Sequence, residues 1–144
     1  MNNYFTLHEF LYSSAALEKK IDNWPTDFWV IENIQNKLLP VLNKLREAWG
    51  GPIRITSGYR SEALNRAVGG VKNSIHLKGL AADLVPAGGN FEYFKAFVPI
   101  FFSDNPFDQL ILEKSGSSQW VHLGIESNEG KCRKQIFGLD KTPY

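Results

Sequence analysis

The chain has three histidines, and two of them sit in contexts that suit metal chemistry. His76 lies in Asn-Ser-Ile-His-Leu-Lys-Gly-Leu-Ala-Ala-Asp, with Asp83 seven residues on. Gly79 between them lets the backbone turn sharply, so a loop histidine and a strand aspartate can converge on one cation. His122 follows in Trp-Val-His-Leu-Gly. Two imidazoles and one carboxylate form a ligand set for a catalytic zinc, with a fourth position left for water. Spacing alone equally allows two satisfied structural histidines and an Asp83 that caps or pairs. His8 lies inside an expected first helix and has no partner pattern, which points to a structural or surface role.

Strand alternation tests the arrangement. Leu80, Ala82 and Leu84 take the core side of one strand, which turns Asp83 the other way. Val121, Leu123 and Ile125 take the core side of another, which turns Trp120 and His122 outward. Leu110 and Leu112 do the same for Gln109, Ile111 and Glu113. The loop between these last two strands reads as Lys114–Ser118. Five residues with simple pairing put Glu113 and His122 on opposite faces; an even-length loop or a bulge puts them on the same one.

The elements that must position these residues are legible from pattern. Thr6 and Glu9 form a capping box, so a helix is expected over Leu7–Leu17. Lys19–Pro25 is a polar connector. Phe28, Ile31, Ile34, Leu38, Val41, Leu42, Leu45 and Trp49 step by three or four along an amphipathic helix that Gly50-Gly51 stops. Pro40 should kink or divide it. Ile53 and Ile55 alternate in a short strand. Ser61 caps a brief helix through Arg66, and Gly69-Gly70 ends it. Strand Leu80–Val85 follows, then a helix capped by Asn90 and running to Val98 before Pro99. The hairpin Asp108–Glu113 and Gln119–Ile125 completes the set. Helices first and strands later predict an α+β fold, a small antiparallel sheet with N-terminal helices packed on one face.

Composition narrows the function. The chain has 144 residues, 43% hydrophobic and 22% charged, enough for one core and too apolar for whole-chain disorder. Its net charge of +1 disfavours nucleic acid, which demands a basic excess. Its single cysteine, Cys132, allows no internal disulfide, so the fold needs no oxidising compartment. The longest apolar run, Phe97–Phe102, is far short of the roughly 20 residues of a membrane span, and no membrane partner is expected. No signal layout is legible at the N-terminus, so the protein is expected to be cytoplasmic as synthesised.

Three segments together resemble a known family. Ser57-Gly58-Tyr59-Arg60-Ser61, then Ser74-Ile-His-Leu-Lys-Gly-Leu-Ala-Ala-Asp83, then Trp120-Val-His122 resemble the M15 family of zinc D-Ala-D-Ala peptidases. The likeness is nearest to its short phage and prophage branch of cell-wall carboxypeptidases and endolysins. It spans about Phe5 to Ile125 and leaves a C-terminal tail, 126–144, outside. It implies one zinc peptidase domain over 1–144 with the fold of those peptidases and of the hedgehog signalling domain. It implies Zn2+ held by His76, Asp83 and His122, and Arg60 as the substrate-binding arginine. Ser74 and Gln109 support the site, and an exposed Trp120 offers an apolar wall to a small side chain. Many members carry an acidic general base three residues before the last histidine, where this chain has Gln119. The hedgehog branch instead shows Phe-Asp-x-x-x-x-Glu, matched here by Phe107, Asp108 and Glu113, which implies Glu113 as the base. The implied substrate is a peptidoglycan stem peptide, met at the cell wall after release, by a monomer. Whether the enzyme is a carboxypeptidase or an endopeptidase stays open. A non-catalytic zinc module that binds wall peptides or a protein is the alternative.

Overall fold

A computed structural model describes residues 3–139. The first helical region is two helices, α1 (Leu7–Leu11) and α2 (Ser14–Lys19), where one was expected over Leu7–Leu17. The capping box forms as expected, with the Thr6 N–H donating to Glu9 Oε1 at 2.9 Å. The break comes from a second cap. Tyr12 turns extended, and the Ser13 hydroxyl accepts from the Ala16 N–H, restarting the helix.

The long amphipathic segment is α3 (Phe28–Asn33), a π-helical turn (Ile34–Leu38) and α4 (Leu39–Trp49). Pro40 is the second residue of α4. Its missing N–H and its ring would break the α-helical ladder, and the wide turn just before it lets the rod continue. Ile34, Leu38, Leu42 and Leu45 are wholly buried along one side. Helix α5 (Glu62–Ala67) is capped by Ser61, as expected.

Helix α6 (Phe91–Ser103) starts at the Asn90 cap but passes through Pro99, where an end at Val98 was expected. Phe94, Val98 and Phe102 are fully buried on its inner side. Each contributes about 1.5–3 kcal/mol by burial. Together they outweigh the roughly 3 kcal/mol a mid-helix proline costs.

Five strands form one sheet: β1 (Ile53–Ser57), β2 (Ala81–Pro86), β3 (Gln109–Ser115), β4 (Ser118–Gly124) and β5 (Gln135–Phe137). Their order is β1-β2-β4-β3-β5. The first four pair antiparallel, and β5 pairs parallel to β3. The sheet is therefore mixed rather than purely antiparallel, because the C-terminal segment returns along β3. Ala82, Leu84, Leu110, Val121 and Leu123 share a core with the α3–α4 rod and α6. The fold is α+β, with the opposite sheet face left for the site.

The β3–β4 hairpin corrects the expected loop. The strands extend through Lys114–Ser115 and Ser118, leaving only Gly116-Ser117 as the turn. Gly116 has a positive φ of 59°, which suits such a tight connection. The register pairs Glu113 with Trp120 and Ile111 with His122. Residues directly opposite share a face, so Glu113, Trp120 and His122 all point away from the core. Gln119 lies on the other side of the pleat.

Candidate metal centre

The His76 side of the site is built by short loops. After β1 the chain turns at Gly58, whose backbone presses on the end of α1. A Cβ there would lie 2.5 Å from the Phe10 carbonyl oxygen. The Tyr59 N–H donates to that same oxygen at 2.7 Å. Asn23, buried, donates to the Leu11 and Tyr59 carbonyls and accepts from the Ser61 N–H, which fixes the loop on both flanks of Arg60.

His76 stands in a 3₁₀ turn, Ile75–Lys78. Ser74 Oγ accepts from its backbone N–H at 3.2 Å, and the Arg60 N–H donates to its carbonyl at 3.1 Å. Gly79 ends the turn at a φ of 73°, packed so closely that a Cβ would sit 2.8 Å from Ile34 Cγ1. The His76 ring places Nδ1 2.7 Å from the Gly58 carbonyl. An acceptor there requires Nδ1 to carry the proton, which leaves the Nε2 lone pair for the site.

Asp83 on β2 is the hub. It pairs with His122 on one side and Ser57 on the other. Its Oδ1 lies 3.3 Å from His76 Nε2 and 3.1 Å from His122 Nδ1. The three potential ligand atoms all fall within 4.8 Å of one another. Bonds of about 2.0–2.1 Å in a tetrahedral site set neighbouring ligand atoms about 3.3 Å apart. The observed spacings suit one small cation. His76 Nε2 is buried without a hydrogen-bond partner, and a buried polar atom left alone is costly. A cation between the three side chains satisfies it. Burial works to raise the Asp83 carboxyl, but His76 first and His122 next outweigh it, holding Asp83 far below the usual carboxylate range. It is an anion at neutral pH.

Arg60 flanks this cluster. Its Nη2 lies 4.0 Å from Asp83 Oδ2. Burial pulls its guanidinium below the ordinary arginine value, while Asp83 and Glu113 act against that. Glu113 stands on the other flank, Oε1 4.0 Å from His122 Nδ1. The Trp120 indole N–H donates to the same Glu113 oxygen at 2.9 Å. Trp120 is thus half-buried and tied, not the freely exposed wall that was expected. Gln109 Nε2 donates to Gln135 Oε1 at 2.9 Å, joining β3 to β5 at the rim. A cleft of about 830 Å³ runs across these residues. Gln119, whose side of the pleat is opposite, does not line it.

All eight site residues expected from sequence line one cleft or brace it, and the structure adds others. Asp108 is wholly buried. Its Oδ1 accepts from the Arg133 N–H at 3.1 Å and from Nε at 2.7 Å, and its Oδ2 from Nη2 at 2.8 Å. Asp108, Arg133 and Ser127 to Glu129 form the cleft's C-terminal wall. Of the segment taken as a tail, 126–144, residues 127–129 and Arg133 therefore line the cleft, and 140–144 lie outside the described residues. Asp108 had a signal in the Phe-Asp pattern; Arg133 had none, because its partner is 25 residues away.

The chain matches the family model Peptidase M15 over residues 3–124. It belongs to that family of metallopeptidases, and the His76–Asp83–His122 cluster is where its metal can be held. No curated protein matches the sequence. Among the described residues, no helix is long and apolar enough to cross a membrane.

Proposed function

We propose that the protein is a zinc peptidase that cleaves peptidoglycan stem peptides. The observation that carries this reading is the orphaned His76 Nε2, aimed at Asp83 and His122 in an open cleft that Arg60 and Glu113 flank. Zinc bound by His76, Asp83 and His122 supplies a Lewis acid and lowers the pKa of a coordinated water to about 7.

The chain's own residues do the rest. Glu113, held by the Trp120 indole, takes the proton from the attacking water and returns it to the leaving amine. The single hydrogen bond from the Trp120 indole keeps Glu113 Oε1 in place and leaves the other oxygen for that proton. Arg60 binds a peptide carboxylate or steadies the charge that develops on the scissile carbonyl oxygen. The Gly58 carbonyl keeps the His76 proton on Nδ1. A D-Ala-D-Ala terminus, with its small methyl groups and carboxylate, suits a cleft lined by both Arg60 and Trp120.

The test is metal content followed by turnover. Purified protein should hold one zinc per chain and release peptide fragments or D-alanine from isolated sacculi or D-Ala-D-Ala peptides, and a chelator should stop it. Zinc-loaded protein that leaves several wall types and D-Ala-D-Ala peptides uncut would sink the peptidase reading.

A further inference from the structure

Arg60 does not hold its own position. It extends from a loop into a cleft that contains two carboxylates, Asp83 and Glu113, and its Nη2 stops 4.0 Å from Asp83 Oδ2. Unrestrained, a guanidinium this close to an anion closes to a bidentate pair. That contact would consume the donors a substrate needs and would draw on a carboxylate of the metal cluster. Something keeps Arg60 off Asp83.

The restraint is Asn65, on α5. Its Oδ1 accepts from Arg60 Nη1 at 2.8 Å. Its Nδ2 donates to the Val71 carbonyl at 2.8 Å, which fixes the amide's orientation, since only the oxygen then faces Arg60. Asn65 is buried although polar. The loop after α5 wraps around it: the Gly70 N–H donates to the Asn65 carbonyl at 2.9 Å. Gly70 has no side chain for a reason visible here. A Cβ on it would collide with both Asn65 Oδ1 and Arg60 Nη1. Arg60 Nε is buried with no partner and is closed to a substrate, so with Nη1 spent on Asn65 the donors left to the cleft are those of Nη2, 4.0 Å from Asp83 Oδ2.

We propose that Asn65, enclosed by the Gly70 turn, is a positioning residue that holds Arg60 short of Asp83 so that its remaining donors receive the substrate carboxylate. This rests on the role of Arg60 in the proposed function and adds to it the residue that makes that role possible. Asn65 does not itself line the cleft of the metal cluster.

The experiment measures binding of a D-Ala-D-Ala peptide and of its C-terminal amide to zinc-loaded protein by titration calorimetry, with metal content and circular dichroism as controls. The wild type should prefer the free acid. Asn65→Leu should lose about tenfold in affinity for the acid, the scale of a hydrogen bond to a charged group, and change little toward the amide. Asn65→Asp, which keeps an acceptor for Nη1, should recover part of the preference. Arg60→Ala/Asn65→Leu should be no worse than Arg60→Ala alone, because one residue acts through the other. Gly70→Ala, which displaces the contact by crowding both Asn65 Oδ1 and Arg60 Nη1 while Asn65 itself is unchanged, should resemble Asn65→Leu and serves where that variant does not fold. An acid preference that survives Asn65→Leu and Gly70→Ala, or a double variant whose losses add, overturns the proposal alone. A wild type indifferent to the carboxylate overturns the role of Arg60 and this proposal with it.

Discussion

The two walls of the cleft are made differently. The wall that carries Arg60 and His76 is local. Its residues fall between Gly58 and Gly79, and they are held by nearby groups of the same stretch: the Gly58 carbonyl on the His76 ring, the His76 carbonyl on the Arg60 N–H, and the Ser74 hydroxyl on the His76 N–H. The wall that carries Glu113, His122 and Arg133 is assembled from distance. It depends on the β3–β4 register, and on a segment that returns 25 residues later to seal Asp108. The first wall is buried and crowded with glycines that admit no Cβ; on the second, Glu113 keeps 40% of its side chain exposed. The metal cluster straddles both, with Asp83 between them. Burial and short loops hold ligands still, whereas a proton carrier needs a partly open position.

The contrast can be broken first at its centre. His76→Ala should abolish stoichiometric zinc and all hydrolysis, measured by metal analysis and peptide release, because it removes a ligand outright. Retention of full zinc would show that the cluster is only an ion-paired core. Glu113→Gln on the open wall should do something different. Zinc should stay bound while hydrolysis falls about 10²–10⁴-fold. Gln119→Ala, on the other side of the pleat, should cost little, and the reverse ranking would remove Glu113 as the base.

Arg60→Ala should lower kcat/KM by about 10²-fold with zinc retained. Gly58→Ala sharpens the comparison from the buried side. It touches no reacting group, yet the clash with Phe10 should shift the carbonyl that orients His76. Zinc affinity should fall about 10–100-fold, read by competition with a chelator. Unchanged affinity would mean the loop has slack that its packing does not suggest.

The smallest effect should come from the distant wall's ion pair, a buried Asp108 held by an exposed Arg133. Burial pushes the Asp108 carboxyl up, but the hydrogen bonds from Arg133 more than offset it, so its folded value lies below the ordinary one. A carboxylate depressed in this way adds stability above its unfolded pKa of about 3.9, and that stability is lost as pH falls through the lower folded value. Asp108→Asn should lower the melting temperature at neutral pH and flatten its decline in acid. An unchanged acid limb would mean that the pair contributes nothing to holding the segment 126–137.

Much of the near wall was legible in advance for a physical reason. Gly58, Arg60, Ser74, His76, Gly79 and Asp83 lie within one stretch, and turns, caps and strand alternation are short-range effects that residue types alone express. That Asp83 and His122 turn away from the core also followed from alternation, because the pleat has a period of two whatever surrounds it, whereas the face shared by Glu113 and His122 waited on the hairpin register. Caps at Thr6, Ser61 and Asn90 were readable in the same way. The helix that runs through Pro99 was not, since the energy that overrides the proline comes from a core distant in sequence. Nor was the break at Tyr12, where two cap signals compete and packing chooses.

By itself, then, the amino-acid order determined the residue types of the metal cluster, their strand faces and the α+β class, because these rest on local stereochemistry and on the side-chain period. Tertiary structure alone decided three things. It chose a two-residue turn over a five-residue loop, which brought Glu113 to the face of His122. It returned the C-terminal segment beside β3, which made Arg133 part of the cleft. It closed the Gly70 turn over Asn65, which set where Arg60 stops. Each is a pairing between groups whose sequence separation carries no local signal, and only the packed core fixes which partner is met.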